Sequence, residues 1–261
     1  MDGSILMNPL LEKVDHRPWP LPIGPWNMRQ AWMDLLFAHW PIPSKFLRPF
    51  VPFELELEEF DGTSWIGVVP FRMEGVRFRH FHLPWISAFP ELNVRLYVRF
   101  RDKPGVYFLS LDGSNSLAAF GAWWSYHLPY YWSKVTHKTF PTGDNSPSFQ
   151  VEAICGRAKP QLIFKALYEP VGDLFFANPG TLEHFLTERY CLFTKQRKGS
   201  LMRVDVHHPP WPLQQAKAKI EAQDMVRPFG LLLPDQKPHL LFSPGVQTLC
   251  WPMRRATGIG S

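Results

Sequence analysis

Residues 89–112 read FPELNVRLYVRFRDKPGVYFLSLD, and the fold turns on how this stretch is read. Within it NVRLYVRF alternates throughout. Val94, Leu96, Val98 and Phe100 fall on one face; Asn93, Arg95, Tyr97 and Arg99 fall on the other. A period of two marks a strand, because successive side chains point to opposite sides of the pleat. RDKPG supplies turn residues, and VYFLSLD returns as a second strand.

Working outward, the strand signals continue. Upstream, FELELEEF (53–60) alternates as strictly, with Phe53, Leu55 and Leu57 opposite Glu54, Glu56 and Glu58. Asp61–Gly62 is a hairpin signal. TSWIGVVPF (63–71) then reads as a nearly continuous apolar strand, as expected where both faces are covered. RQAWMDLLFAH (29–39) fits helix or strand by pattern alone, and a short helix is predicted over Ser44–Phe50 with Ser44 as its N-cap. Downstream, SNSLAAFGAWW (114–124) has the small residues of a short helix that must stop before Pro129. SFQVEAICGRAKPQLIFKALYEP (148–170) is two strands about a turn. NPGTLEHFLTERYCLF (178–193) holds a helix capped by Thr181, and RYCLFTKQRKGSLMRVDVHH (189–208) is a hairpin turning at 198–200. A last strand around Ala218–Asp224 precedes a proline-rich tail.

Many short strands with close turn signals make the chain mainly β with a few short helices, a barrel or a sandwich. Proline supports this: 27 in 261 residues is well above the usual share of about 5% and disfavours long helices. Residues 1–24 form an N-terminal arm, whose Trp19 and the following Trp26 argue that it lies on the body. Residues 25–256 form one barrel domain, and 257–261 a tail. The aromatic share of 15% can build a large core or line a cavity. The net charge of +5 is spread among interleaved acidic residues rather than gathered in a basic stripe, so no nucleic-acid partner is expected. No stretch approaches the roughly 18 apolar residues of a membrane span, and the N-terminus lacks a signal-peptide pattern, so no membrane partner is expected. Cys155, Cys191 and Cys250 are scattered and odd in number, which fits a reduced, cytoplasmic setting. No GxGxxG, GxxxxGK[ST] or HExxH occurs, and no cofactor is expected.

Seven segments together resemble a known family: LLFAHWPIP (35–43), GVVPFRM (67–73), FPELNVRLYVR (89–99), GVYFLSLD (105–112), LPYYW (128–132), LEHFLTERYCLF (182–193) and HHPPWPLQ (207–214). In this order they resemble the YqjF-like, or DUF2071, family of uncharacterised bacterial proteins, from about Arg17 to Met253. That family is distantly similar to acetoacetate decarboxylase. The resemblance implies a cone-shaped, mainly antiparallel β-barrel with an internal pocket. The decarboxylases work through a lysine Schiff base, whose amine is kept neutral by burial beside a second lysine. Their motif is an Arg-Glu pair, a spacer, then Pro-Lys-Lys. On this sequence the proline falls on Pro129, the lysines on Tyr130 and Tyr131, and the Arg-Glu pair on Trp123 and Trp124. A phenol forms no Schiff base, and an indole carries no charge. Glu91 matches a glutamate before a strand in the decarboxylases.

Two readings of these rings stand side by side. Trp123, Trp124, Tyr126, His127, Tyr130 and Tyr131 line a pocket with flat apolar surface and polar handles, or they pack the core around a turn. Glu91, Asn93 and Arg95 share one strand face. Outside the barrel that face is solvated; inside, its groups must be paired and can hold a polar ligand head. His39 is a satisfied buried histidine or a polar pocket group. Lys134 and Lys165 are read as solvated. His80 and His82, His184 and Glu188, and His207 and His208 were weighed as metal pairs, but none has a third ligand at convincing spacing, and no metal is expected. Ser110, Asp112 and His127 lack a nucleophile elbow.

The leading functional expectation is a soluble protein holding a small, partly apolar carboxylate or carbonyl compound in an aromatic cavity. The first alternative is an enzyme of the same fold using Glu91, His39 or Tyr130 for acid–base chemistry on a small organic acid. The second is a structural or partner-binding protein with a filled barrel. Related barrels assemble, so a homo-oligomer stays open.

Overall fold

The computed structural model describes residues 9–79, 88–114, 128–141, 147–196 and 199–256. Among these, one 14-stranded sheet dominates. Its strands are β1 (Met28–Ile42), β2 (Glu56–Leu57), β3 (Ser64–Phe78), β4 (Ala88–Phe100), β5 (Lys103–Gly113), β6 (Tyr130–Trp132) and β7 (Lys134–Pro141). They continue as β8 (Pro147–Cys155), β9 (Leu162–Phe175), β10 (Cys191–Lys195), β11 (Leu201–His207), β12 (Leu213–Gln223), β13 (His239–Cys250) and β14 (Arg254–Arg255). Two short helices, α1 (Ser44–Leu47) and α2 (Leu182–Thr187), decorate it.

The order β11-β10-β5-β4-β3-β1-β13 returns on itself, because β11 also pairs with β13 through Val206↔Cys250 and His207↔Leu249. Those strands form a closed ring, and β12, β9, β8 and β7 extend the sheet from β13. Closure removes the exposed edges that an open sheet of this width would present.

The β4–β5 hairpin forms as the alternation predicts, with Phe100 opposite Lys103. Its partner β3 enters from the Asp61–Gly62 turn, bridged by Phe60 and Thr63. Alternation along β1, β3 and β4 splits the apolar residues between two cores. Leu36, Ala38, Ile66, Val68, Val94, Leu96 and Val98 enter one. Leu35, Phe37, Val69, Phe71 and Met73 enter the other. Both faces of the central strands are therefore covered.

Several elements differ from expectation. Residues 29–39, ambiguous by pattern, are strand, because β3 and β13 take their backbone groups on either side. FELELEEF is not a long strand: only Glu56–Leu57 pair, Leu55 is buried, and Phe53 is 85% exposed. Ser44 is the first helical residue rather than the cap; Pro43 holds the cap position, and the Ser44 hydroxyl bonds Glu59 and Ser64. The last predicted strand starts earlier, at Leu213. The supposed proline-rich tail contains β13, which lies beside β1 at the centre of the sheet; Pro244–Gly245 in its middle hid it. The helix predicted within 114–124 lies almost wholly outside the described residues. The three cysteines are free and buried. Among the described residues no helix is long and apolar enough to cross a membrane.

Residues 9–27 lie against the ring. His207 Nε2 bonds the Leu10 carbonyl (2.6 Å), Arg17 donates to the Val206 carbonyl (2.9 Å), and Trp251 donates to the Gly24 carbonyl (2.9 Å).

Glu58, which the alternation places with Glu54 and Glu56, is buried and holds two cations. It accepts from Arg99 at 2.5 Å and from the buried Arg189. Removing one partner of a buried pair leaves the other charge uncompensated. Glu58→Gln is expected to destabilise the fold by about 3 kcal/mol in urea denaturation. Gln at the exposed neighbour Glu56 should change it by less than about 0.5 kcal/mol.

Candidate ligand-binding site

The second face of β4 carries Glu91, Asn93, Arg95 and Tyr97 in sequence, and all four are buried. Pairing with β3 and β5 puts this polar row inside. The solvated-face alternative is therefore excluded, and each group needs a partner.

Glu91 meets Tyr130. The Tyr130 hydroxyl donates to Glu91 Oε2 at 2.6 Å. Tyr130 reaches it because β6 runs parallel to β5, with Tyr130 beside Leu111 and Trp132 beside Gly113. Gly113 makes room for the ring: a Cβ there would run into the hydroxyl and lie 2.9 Å from Cε1. Burial pushes the Glu91 carboxyl up to about 7; the Tyr130 hydrogen bond opposes this, and the charge of Asp112 adds to it. Burial and the neighbouring Glu91 also hold the Tyr130 phenol well above its ordinary range, so it stays a donor at neutral pH. Asp112 occupies the other face of β5, fully buried, where Arg157 (3.2 Å) and Ser133 (2.9 Å) neutralise it.

Further along β4, Arg95 Nε donates to the Tyr97 oxygen (3.0 Å), and Nη2 donates to the Leu186 carbonyl at the end of α2 (2.9 Å). The Tyr97 hydroxyl lies 2.6 Å from His39 Nε2 on β1. Gly67 of β3 sits between them. A Cβ there would lie 3.0 Å from the His39 ring and 3.3 Å from Arg95 Cγ, so a larger residue would press both side chains aside. Burial, Arg95 and His239 drive the His39 pKa well below its usual value, which keeps the imidazole neutral.

The apolar part of this face is aromatic. Phe37 stacks on His39 (6.2 Å between centroids) and meets the Trp211 ring edge-on (5.2 Å). Trp211 stacks on Trp32 (6.0 Å), which meets Phe71 (6.3 Å). The Arg95 guanidinium lies 5.2 Å from the Phe37 centroid. Tyr130 packs against the same cluster. Trp211 is fixed through its backbone N–H, which donates to Glu188 Oε1 (3.0 Å); the Tyr190 hydroxyl donates to the other oxygen. Among the described residues, three buried polar atoms here have no partner: His39 Nδ1, Asn93 Oδ1 and Trp211 Nε1.

The structure thus brings Glu91, Asn93, Arg95, His39 and Tyr130 to one face of the sheet. Tyr131 is not with them; it is half-exposed, 5.1 Å beneath Arg157, and Trp132 is 65% exposed. Trp123, Trp124, Tyr126 and His127 lie outside the described residues, as do His80 and His82. Lys134 is exposed, and Lys165 pairs with Glu221 at the surface (2.8 Å). Among the described residues no lysine is a partner of Glu91, Tyr130, Arg95 or His39. Ser110 accepts from Arg157 (2.9 Å). Glu188 is engaged by Tyr190 and Trp211, and the described residues contain no group of three or more metal-ligating side chains. Phe37, Trp32 and Trp211 were missed as lining. Phe37 was within reach, because it shares the alternation of His39; Trp211 was not, because it lies in the proline-rich turn after β11.

This closed, mainly antiparallel ring has the fold of acetoacetate decarboxylase. Acetoacetate decarboxylase from Legionella pneumophila is similar over 98% of both chains (TM-score 0.61, 12% identity). The enduracididine biosynthesis enzyme MppR, solved complexed with pyruvate, is similar over 93% of this chain and 95% of its own (TM-score 0.63, 11% identity). Residues 29–247 match DUF2071, described as an uncharacterized conserved protein, and the chain belongs to that family. The uncharacterized protein YqjF of Bacillus subtilis is 38% identical over 248 residues, 94% of this chain and 99% of YqjF.

Two outcomes follow from this geometry. Gly113→Ala should displace the Tyr130 ring and destabilise the fold by about 1–3 kcal/mol, read by denaturant titration. Glu91 has a folded pKa of about 7 against an ordinary 4.5. Between those values the native state keeps a proton that the unfolded chain has shed, so stability falls as pH rises through the window. Glu91→Gln removes that slope. Relative to the original chain it should gain on the order of 3 kcal/mol between pH 4 and pH 8, measured as the difference in unfolding free energy.

Proposed function

We propose that this chain binds a small, partly apolar organic molecule, a carboxylate or carbonyl compound, on the aromatic face beside Glu91 and Tyr130, without amine chemistry. The Glu91–Tyr130 pair carries this reading: a buried carboxyl at 2.6 Å from a phenol, with a pKa near neutrality, offers a hydrogen-bonding pair to a carbonyl oxygen. Phe37, Phe71, Trp32 and Trp211 supply apolar contact. Unmatched polar atoms on Asn93 and Trp211 add a reason for a polar ligand group there. The similarity in fold to MppR, whose structure holds pyruvate, supports a small ligand.

The near-neutral Glu91 also favours a second reading, acid–base catalysis on the bound compound, because a group titrating near the working pH can both give and take a proton. In either case the lack of a lysine partner for the pair among the described residues argues against a Schiff base.

Two measurements test this. Native mass spectrometry of the freshly isolated chain should show a small organic adduct, displaced on denaturation, and Tyr130→Phe should weaken its retention about tenfold. Borohydride reduction in the presence of a panel of β-keto acids should leave the protein mass unchanged; a covalent adduct on any lysine would overturn the amine-free reading.

A further inference from the structure

We infer that the ligand of this site is an organic monoanion whose carboxylate sits on Arg95. This rests on the ligand-binding reading above and names the charge and orientation of the ligand.

Arg95 is only 9% exposed, and among the described residues it has no carboxylate within ion-pair distance. The comparison within the same molecule is informative. Buried Arg157 lies on Asp112, Arg189 on Glu58, and Arg203 on Asp205. Arg17, in the N-terminal arm, likewise lacks a carboxylate among the described residues; it donates to two backbone carbonyls and to His207, and its Nη2 is unpartnered. Arg95 donates to one carbonyl and one phenol oxygen. An uncompensated buried charge is costly, and its contacts over the Phe37 and Tyr97 rings offset only part of that.

The surroundings select an anion. Tyr97 accepts from Arg95; when it donates onward to His39 Nε2, the imidazole proton sits on Nδ1, which is unpartnered. Trp211 Nε1 is a second unpartnered donor. His39, Arg95 and Trp211 all pack against the ring of Phe37. Two buried side chains with unpartnered atoms and a buried guanidinium around one ring match an oxyanion, and the planar guanidinium matches a carboxylate. A single positive charge in aromatic surroundings leaves a dianion half-compensated, which favours a monoanion. With the carboxylate at Arg95, the remainder of the ligand extends along the β4 row past Asn93 toward Glu91 and Tyr130. Glu91, buried nearby, then meets a second negative charge and holds its proton more tightly.

The test uses the full chain and matched pairs: the linear carboxylates from propionate to octanoate, the corresponding 2-oxo acids, and the amide of each. Calorimetry and tryptophan fluorescence read binding. The acids are expected to bind at least roughly 30-fold more tightly than their amides. Arg95→Gln should erase that preference, and Arg95→Lys should retain part of it. If Arg95→Gln fails to fold, as judged by circular dichroism, the acid–amide comparison in the unaltered chain decides alone. Equal binding of acids and amides, or a preference for amides, would overturn the anion seat while leaving the ligand-binding reading standing. Binding of neither series at millimolar concentration would overturn both.

Discussion

The central strand β4 is covered on both faces, and the rest of the molecule answers to that constraint. One face sends Val94, Leu96 and Val98 into the larger apolar core. The other brings Glu91, Asn93, Arg95 and Tyr97 into the interior, where desolvation penalises each polar atom left unpaired. A strand cannot turn its polar row outward without turning its apolar row out as well, because a one-residue slip exchanges the faces. The hydrophobic burial of the first set therefore enforces the burial of the second. The fold must then supply partners to the polar row from other strands: Tyr130 from β6, His39 from β1, and the Leu186 carbonyl from α2.

Those partners arrive only because glycine stands at two crossings. Gly67 separates His39 from Arg95 by the width of one strand with no side chain between them, and Gly113 leaves the space that the Tyr130 hydroxyl needs. The matching remains incomplete along the row. Glu91 shares one hydrogen bond and titrates near neutrality, while Asn93 Oδ1 and His39 Nδ1 have none among the described residues. Elsewhere the same fold compensates buried charge well, with Asp112 held by Arg157 and Ser133, and Glu58 held by Arg99 and Arg189. Unmatched atoms on His39, Asn93 and Trp211 lie where aromatic rings provide an apolar wall, two features that binding sites combine.

Much of the fold was legible in the sequence because strand period is a local property. The β4–β5 hairpin, the Asp61–Gly62 turn, the Thr181 cap and the β10–β11 hairpin follow from residues close together in the chain. What failed was non-local. FELELEEF has a perfect alternation but no neighbour along most of its length, so Glu58 leaves the pattern to meet Arg189, 131 residues away. The strand β13 was masked by Pro244 and Gly245, yet pairing with β1 along its length holds it extended. For the site, Glu91, Asn93, Arg95 and His39 were visible as an unusual set of polar residues at interior-looking positions. Their mutual contacts were not visible, since they depend on the order of strands in the ring. The tyrosine pair illustrates the limit. Tyr130 and Tyr131 look equivalent in LPYYW, but adjacent residues of a strand face opposite ways, so Tyr130 meets Glu91 and Tyr131 lies under Arg157.

A shared fold with a different interior changes the chemistry that can operate there. A lysine nucleophile needs a neutral amine, which in turn needs burial and a neighbouring cation. Here the residue beside the buried glutamate is a phenol that stays protonated, and the buried cation further along the row is a guanidinium. Neither can form an iminium, but both donate hydrogen bonds, and the glutamate between protonation states can accept or donate one. The shared fold fixes the frame of the ring, while β4 and β6 place a carboxyl, a guanidinium and a phenol on its inner face.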